Sequence, residues 1–146
     1  SKDALFIKSD RKYYKIAFTD IRFIEALKDY VVIYTQNNKL ITAMNLKTIH
    51  QKLPVRLFAR TSKSYLINLS FIDSFDSHTI YIDKFEIPIG EIYRESFFKQ
   101  YTGGLLWLNS RPKQLQSDLG NELEYCNAVG NLSDIQQNIL LFRSGK

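Results

Sequence analysis

Arg60, Ser62, Lys63 and Ser64 gather two cationic and two hydroxyl side chains between the strand-like runs Leu57 to Thr61 and Tyr65 to Asn68. A turn at a sheet edge can hold such donors out toward phosphates and base edges without burying them. Taken alone, the cluster reads first as a solvated hairpin, since exposed basic turns are ordinary. Other chemistries find fewer parts. His50 and His78 are the only histidines and Cys126 the only cysteine, so no four-ligand zinc site of cysteine and histidine can be assembled in one chain. A Cys–His nucleophilic pair would have to use Cys126, which reads instead as a small apolar residue on a helix face. No GxSxG, GxxxxGK[ST] or GxGxxG occurs, and Glu86 with Glu91 reads as solvated charge rather than as an acid and a base. The expectation is a non-enzyme with no catalytic residues, no metal and no cofactor.

The elements that must position these donors are mainly strands. From Ala4 to Ile89 the chain alternates short β-branched and aromatic runs with polar clusters, as an antiparallel domain does. The runs are Ala4 to Ile7, Tyr13 to Phe18, Ile21 to Leu27, Val31 to Thr35, Leu40 to Met44, Leu57 to Thr61, Tyr65 to Asn68, Ile72 to Phe75, Thr79 to Asp83 and Phe85 to Ile89. Ser9-Asp10-Arg11, Lys28-Asp29, Gln36-Asn37-Asn38 and Asp76-Ser77-His78 have the composition of hairpin turns. Asn45 as N-cap, with Leu46, Ile49 and Leu53 on one face and Pro54 as the stop, predicts a short helix over 45–53. A second helix is predicted from Glu91 to Tyr101, where Tyr93, Phe97, Phe98 and Tyr101 form a stripe with the spacing of a buried face. Tyr13, Phe23 and Tyr81 fit core alternation. Helices do not separate successive strands, which argues against a doubly wound parallel sheet.

After Thr102 the texture changes. Gly103-Gly104 reads as a joint, and Leu115, Leu119, Leu123 and Cys126, then Ile135, Ile139 and Phe142, predict two short amphipathic helices, the second with a capping box of Ser133 and Gln136. The expected organisation is therefore a domain over 1–102 and a tail over 103–146, either two short amphipathic helices or an extension of uncertain origin, whose apolar stripes suit first self-association or a partner contact, then packing on its own domain, then a disordered extension.

With 146 residues, 45% hydrophobic and 24% charged, the chain suits one globular domain and not a disordered class. The net charge of +5 lies wholly in 1–102, which holds 16 basic and 11 acidic residues against 4 and 4 beyond it. Such an excess is compatible with nucleic acid, and many other domains are as basic. The longest apolar run, Tyr30 to Tyr34, is far shorter than the roughly 18 residues of a membrane span, so no membrane partner is expected. A single cysteine and no secretory layout at Ser1-Lys2-Asp3 point to the cytoplasm. A start without methionine reads as a fragment of a longer protein.

The stretch LFARTSKSYLINLSFI, residues 57–72, resembles the signature of LytTR-type DNA-binding domains, an F-x-R-x-x-R/K-S-[YF]-[LIV]-[VI]-N pattern. IRFIEALKDY at 21–30, the helix over 45–53, and Ile87-Pro88-Ile89-Gly90 leading into Glu91 to Phe98 extend the resemblance over about residues 4 to 101. It implies an elongated, mainly β arrangement of three small antiparallel sheets, about ten strands in all, with short helices. It further implies the double-stranded DNA-binding output domain of a bacterial two-component response regulator, acting in transcription. Loops rather than a recognition helix would enter successive major grooves. A receiver domain in the full-length protein and a homodimer on DNA follow from the same resemblance.

Carried over residue by residue, Lys63 falls where a base-reading side chain is expected and Ser64 where a phosphate contact is expected, with Arg60 and Ser62 beside them. Lys28 and Asp29 resemble a second groove-contacting loop. The third region, Gly90 to Arg94, departs from the pattern: Gly90 and acidic Glu91 stand where the family offers Ser or a basic residue. Glu91 would repel phosphate, leaving Tyr93 and Arg94 to take over. The rival reading is a β-rich interaction module whose basic loops bind an acidic protein partner or RNA. Lys28, Lys63 and Arg94 on one edge, without exposed strand aromatics, would favour duplex DNA.

Overall fold

The computed structural model of the protein describes residues 3–103, so the two expected tail helices and Cys126 lie outside the described residues. Ser1–Arg94 forms one compact unit, and a second begins at Glu95.

Ten strands form where the ten apolar runs stand. They are β1 (Ala4–Ser9), β2 (Lys12–Ala17), β3 (Ile21–Leu27), β4 (Tyr30–Thr35), β5 (Lys39–Thr42), β6 (Phe58–Arg60), β7 (Tyr65–Asn68), β8 (Ser74–Phe75), β9 (Thr79–Ile82) and β10 (Phe85–Pro88). All pair antiparallel, in a two-stranded sheet β1-β2, a five-stranded sheet β5-β4-β3-β7-β6 and a three-stranded sheet β10-β9-β8. The fold is thus mainly β.

Tight turns set most of these pairings. Ser9 faces Lys12, Leu27 faces Tyr30 and Ile82 faces Phe85, so each hairpin closes through two residues. Such turns need left-handed backbone, and Asp10, Arg11, Lys28 and Asp83 supply it with positive φ. The Asp76 carboxylate accepts the N–H groups of His78 and Thr79, each at 2.8 Å, and so folds the β8–β9 connection.

The five-stranded sheet is buried on both faces. Ile24, Val31, Ile33 and Leu66 face a core completed by Leu5, Ile7 and Ile16 of the β1–β2 hairpin and by Leu46, Ile49 and Leu53. On the other face Phe23 stacks on Tyr34 at 4.3 Å between ring centres, and Phe85 of β10 meets Phe23 edge-on at 5.0 Å. Two-sided burial is why β3 and β4 read as nearly continuous apolar runs rather than as alternating ones.

Helix α1 spans Leu46–His50, capped by the Asn45 side chain, which accepts the Thr48 N–H at 2.7 Å. It ends earlier than the expected 53; a turn through Gln51–Lys52 still delivers Leu53 to the core. Helix α2 spans Glu91–Thr102. Phe97 and Phe98 are buried as expected, whereas Tyr93 and Tyr101 are only half-buried. Two short 3-10 turns, Phe18–Asp20 and Leu69–Phe71, join strands where no helix was expected. The core assignment fails for Tyr13, which is 80% exposed on the outer face of its hairpin. Tyr81 is half-buried, opposite Ile80 and Ile82, with its hydroxyl donating to Asp76.

Candidate nucleic-acid interface

Strands β3 and β7 run antiparallel with Glu25 opposite Tyr65, so the turn that leaves β3 and the loop that enters β7 emerge at the same end of the sheet. The first is Lys28-Asp29, the second Ser62-Lys63-Ser64. One further ladder bond, from the Ala26 N–H to the Ser64 carbonyl at 2.8 Å, ties the two together. Lys28, Asp29 and Lys63 are all exposed there. The third candidate region is tied to the second loop where it leads into the last helix: the Gly90 N–H donates to the Thr61 carbonyl at 2.7 Å.

The Ser62–Ser64 loop is braced from within. Arg60 donates from Nε to the Ser62 carbonyl at 2.9 Å and from Nη2 to the Lys63 carbonyl at 2.8 Å. Its guanidinium carbon lies 5.8 Å from the centre of the Tyr93 ring. The Ser62 hydroxyl accepts the Ser64 N–H at 3.1 Å. Arg60 therefore shapes the loop with two of its donors, and Lys63, whose side chain is exposed, stands on the shaped loop. Arg60 also lies near His50, whose pKa is lowered first by burial and then by the Arg60 charge.

Glu25 anchors the same end. Its carboxylate accepts the Tyr65 hydroxyl at 3.0 Å and the Tyr34 hydroxyl at 3.2 Å. Burial first, then the hydrogen bond to Glu25, pushes the Tyr65 pKa up to about 12; burial and the Glu25 charge raise that of Tyr34.

Ser62, Lys63, Ser64, Gly90, Glu91, Ile92 and Tyr93 line one open groove of about 400 Å³. Gly90 is needed there for close approach, since a Cβ at this position would sit 3.3 Å from the Ser62 Cα. Its N–H, being bonded to Thr61, is not offered to an anion. Arg94 does not line the groove; it is half-buried, and its Nε is buried with no hydrogen-bond partner among the described residues. Of the nine residues singled out from the sequence, the groove gathers Ser62, Lys63, Ser64, Gly90 and Tyr93, with Arg60 behind it and Lys28 and Asp29 on the neighbouring turn.

Sequence reading passed over Ile92, which is 80% exposed at this groove. The signal was present: Ile92 lies off the helical stripe of Tyr93, Phe97, Phe98 and Tyr101 and so cannot share its buried face. A larger open groove of about 540 Å³, lined in part by Arg22, Asn37, Lys39 and Lys84, lies at the opposite end of β3 and holds none of the candidate residues. Strand aromatics are exposed too, Phe6 and Tyr13 on the β1–β2 hairpin and Tyr30 at the start of β4. The pattern expected for duplex DNA is therefore met by Lys28 and Lys63 and departed from by Arg94 and these rings.

Among the described residues no group of three or more histidine, cysteine, aspartate or glutamate side chains could hold a metal ion, and no helix is long and apolar enough to cross a membrane. A comparison with curated protein sequences returns no match. Among solved structures, the chain is similar to a Bacillus cereus chain named as the LytTr DNA-binding domain of a methyl-accepting/DNA response regulator. The TM-score is 0.60 at 18% identity, covering 68% of this chain and 97% of that one, a likeness of fold. The model of the LytTR family, described as LytTr DNA-binding domain, matches residues 11–102. With ten strands in the three sheets described and more than half its length matched, the chain belongs to the LytTR family of DNA-binding domains.

Proposed function

We propose that the chain binds double-stranded DNA sequence-specifically, as the output domain of a two-component response regulator that controls transcription. The observation that carries this reading is the convergence of the Lys28-Asp29 turn, the Ser62-Lys63-Ser64 loop and the Gly90–Tyr93 junction at one end of the sheet, held by the Ala26–Ser64 and Gly90–Thr61 backbone bonds. Loops fixed to strands in this way can present donors to phosphates and base edges in a groove without a recognition helix. The +5 charge supports an anionic partner. In this reading Lys63 reads a base, Ser62, Ser64 and Lys28 contact the backbone, Asp29 orients its turn, Arg60 and Gly90 shape the surface, and Tyr93 and Arg94 flank it. A receiver domain in the full-length protein, a homodimer on DNA and a cytoplasmic site of action complete it.

Selection of bound duplexes from a random pool tests it directly. A preferred sequence should emerge, and affinity for it should fall by roughly 10² or more between low and physiological salt as condensed counterions are released. Binding that is undetectable at low salt, or indifferent to salt, would end the proposal.

A second reading rests on one observation. On the outer face of the β1–β2 hairpin, exposed Phe6 and Tyr13 stand opposite Lys15 and Lys8, and the Lys8 Nζ lies 5.6 Å from the Tyr13 ring centre. Aromatic rings beside cations suit single-stranded RNA or an acidic protein. Single-stranded RNA that outcompetes the selected duplex, and loses this on Phe6→Ala/Tyr13→Ala, would favour it.

A further inference from the structure

We propose that Ile92 is a specificity-determining residue that reads the C5-methyl group of a thymine. The inference rests on the duplex-DNA reading above and names what one wall of its groove recognises. Ile92 is 80% exposed in the first turn of α2 and lines the same groove as Lys63, Ser62 and Ser64. Its side chain has no donor or acceptor, so it can contribute nothing to a phosphate and nothing to a base-edge hydrogen bond. The thymine methyl is the one apolar group among the base-edge features of the major groove, which otherwise presents donors and acceptors. An isoleucine on the wall of a groove that carries a base-reading lysine therefore has one matching partner.

Two neighbours strengthen the assignment. Glu91, next in the chain and in the same groove, is exposed and acidic, so this wall is poorly suited to lie against a phosphate and better suited to face base edges. Gly90 holds the junction against Ser62 through its bond to the Thr61 carbonyl, which fixes where the first turn of α2 stands relative to the Lys63 loop. The branched Ile92 side chain is itself stiff about its first torsion. The methyl-reading surface is thus formed before DNA arrives.

The test uses the full chain and the duplex that selection returns. Each thymine is replaced in turn by deoxyuridine, which removes the methyl and leaves every hydrogen-bonding group in place. One replacement should weaken wild-type binding about three- to fivefold, the size expected for one methyl brought out of water. Ile92→Ala should bind the unmodified duplex weaker by at least as much and show no further loss with deoxyuridine at that position. Ile92→Val should keep part of the sensitivity. Val55→Ala, at an apolar side chain 81% exposed but outside this groove, should leave the scan unchanged. Wild-type binding with no methyl-sensitive thymine, or with the same sensitivity in Ile92→Ala, would overturn the assignment and leave DNA reading intact. Failure to bind any duplex would overturn both.

Discussion

At the scale of single residues, roles divide between side chains that build the interface and side chains left to use it. In the proposed function Lys63, exposed on its loop, is of the second kind. Lys63→Ala should cost roughly 1–3 kcal/mol on the preferred duplex and relax its sequence preference; equal losses on preferred and random duplexes, measured by titration, would make it a phosphate contact only. Asn68 belongs to the first. It is buried, its Nδ2 donates to the carbonyls of Ile21 at 2.8 Å and Phe18 at 3.3 Å, and its Oδ1 accepts the Ser70 N–H at 2.9 Å. Asn68→Ala orphans these groups and should destabilise the fold by roughly 1–3 kcal/mol in chemical denaturation. Within the signature stretch the structure separates a bracing side chain from an exposed one: Arg60 and Lys63 look alike as basic residues in a turn, yet one is folded onto the other's carbonyl. Tyr65 offers a pH handle. With a pKa raised from 10.0 to about 12, the folded state keeps its phenolic proton where the unfolded chain has lost it. Its contribution to stability is therefore complete below about pH 10 and is lost as pH rises toward 12. Tyrosinate absorbance, compared with Tyr65→Phe, should place its midpoint near 12, and Glu25→Gln should lower it.

At the scale of elements, the turns carry the tension. Arg11 occupies a left-handed turn position at φ 64°, where a Cβ is unfavourable. Arg11→Gly should raise stability by about 0.5–1 kcal/mol once the entropy of glycine is set against that strain, visible as a small rise in melting temperature. At the β10–α2 junction the direction reverses: Gly90→Ala brings a Cβ to 3.0 Å from the Tyr93 ring and 3.3 Å from the Ser62 backbone. DNA affinity should fall severalfold with little change in melting, because the groove widens while the core stays closed. Among the described residues all ten strands and both helices were legible in the sequence, since β-branched runs punctuated by polar pairs leave little choice of local structure. The 3-10 turns were not, because a single turn of helix has no periodicity to read. Tyr13 misled because period-2 alternation holds on both sides of a strand, and only the register with β1 decides which side is wet.

At the scale of the whole described structure, the pairing that local patterns could not announce is β3 with β7. Neighbouring runs joined by short turns find each other by proximity; Glu25 and Tyr65 meet across forty residues of chain. Nothing in either run names the other. That the Lys28-Asp29 turn and the Lys63 loop share one end follows from this single antiparallel register, so the site as an assembly was visible only through resemblance. A chain cut after Thr102 retains the ten strands and α2 of the described residues. It should bind a single half-site about as well as the full chain in a gel-shift titration; loss of binding would assign residues 103–146 to the domain's own support.

The β3–β7 register also bears on the order in which this protein comes into being. Contacts between segments far apart in the chain form late, because closing the intervening loop costs entropy before any bond returns it. Hairpins such as β1–β2 and β3–β4 can close on their own, but no hairpin contains more than one of the loops that would meet DNA. The proposed reading surface therefore comes together only at the slow, non-local step. In a refolding experiment from denaturant, recovery of duplex binding should trail the early rise in β-structure and coincide with the slowest phase. A half-synthesised or partly unfolded chain would then be silent on DNA rather than promiscuous.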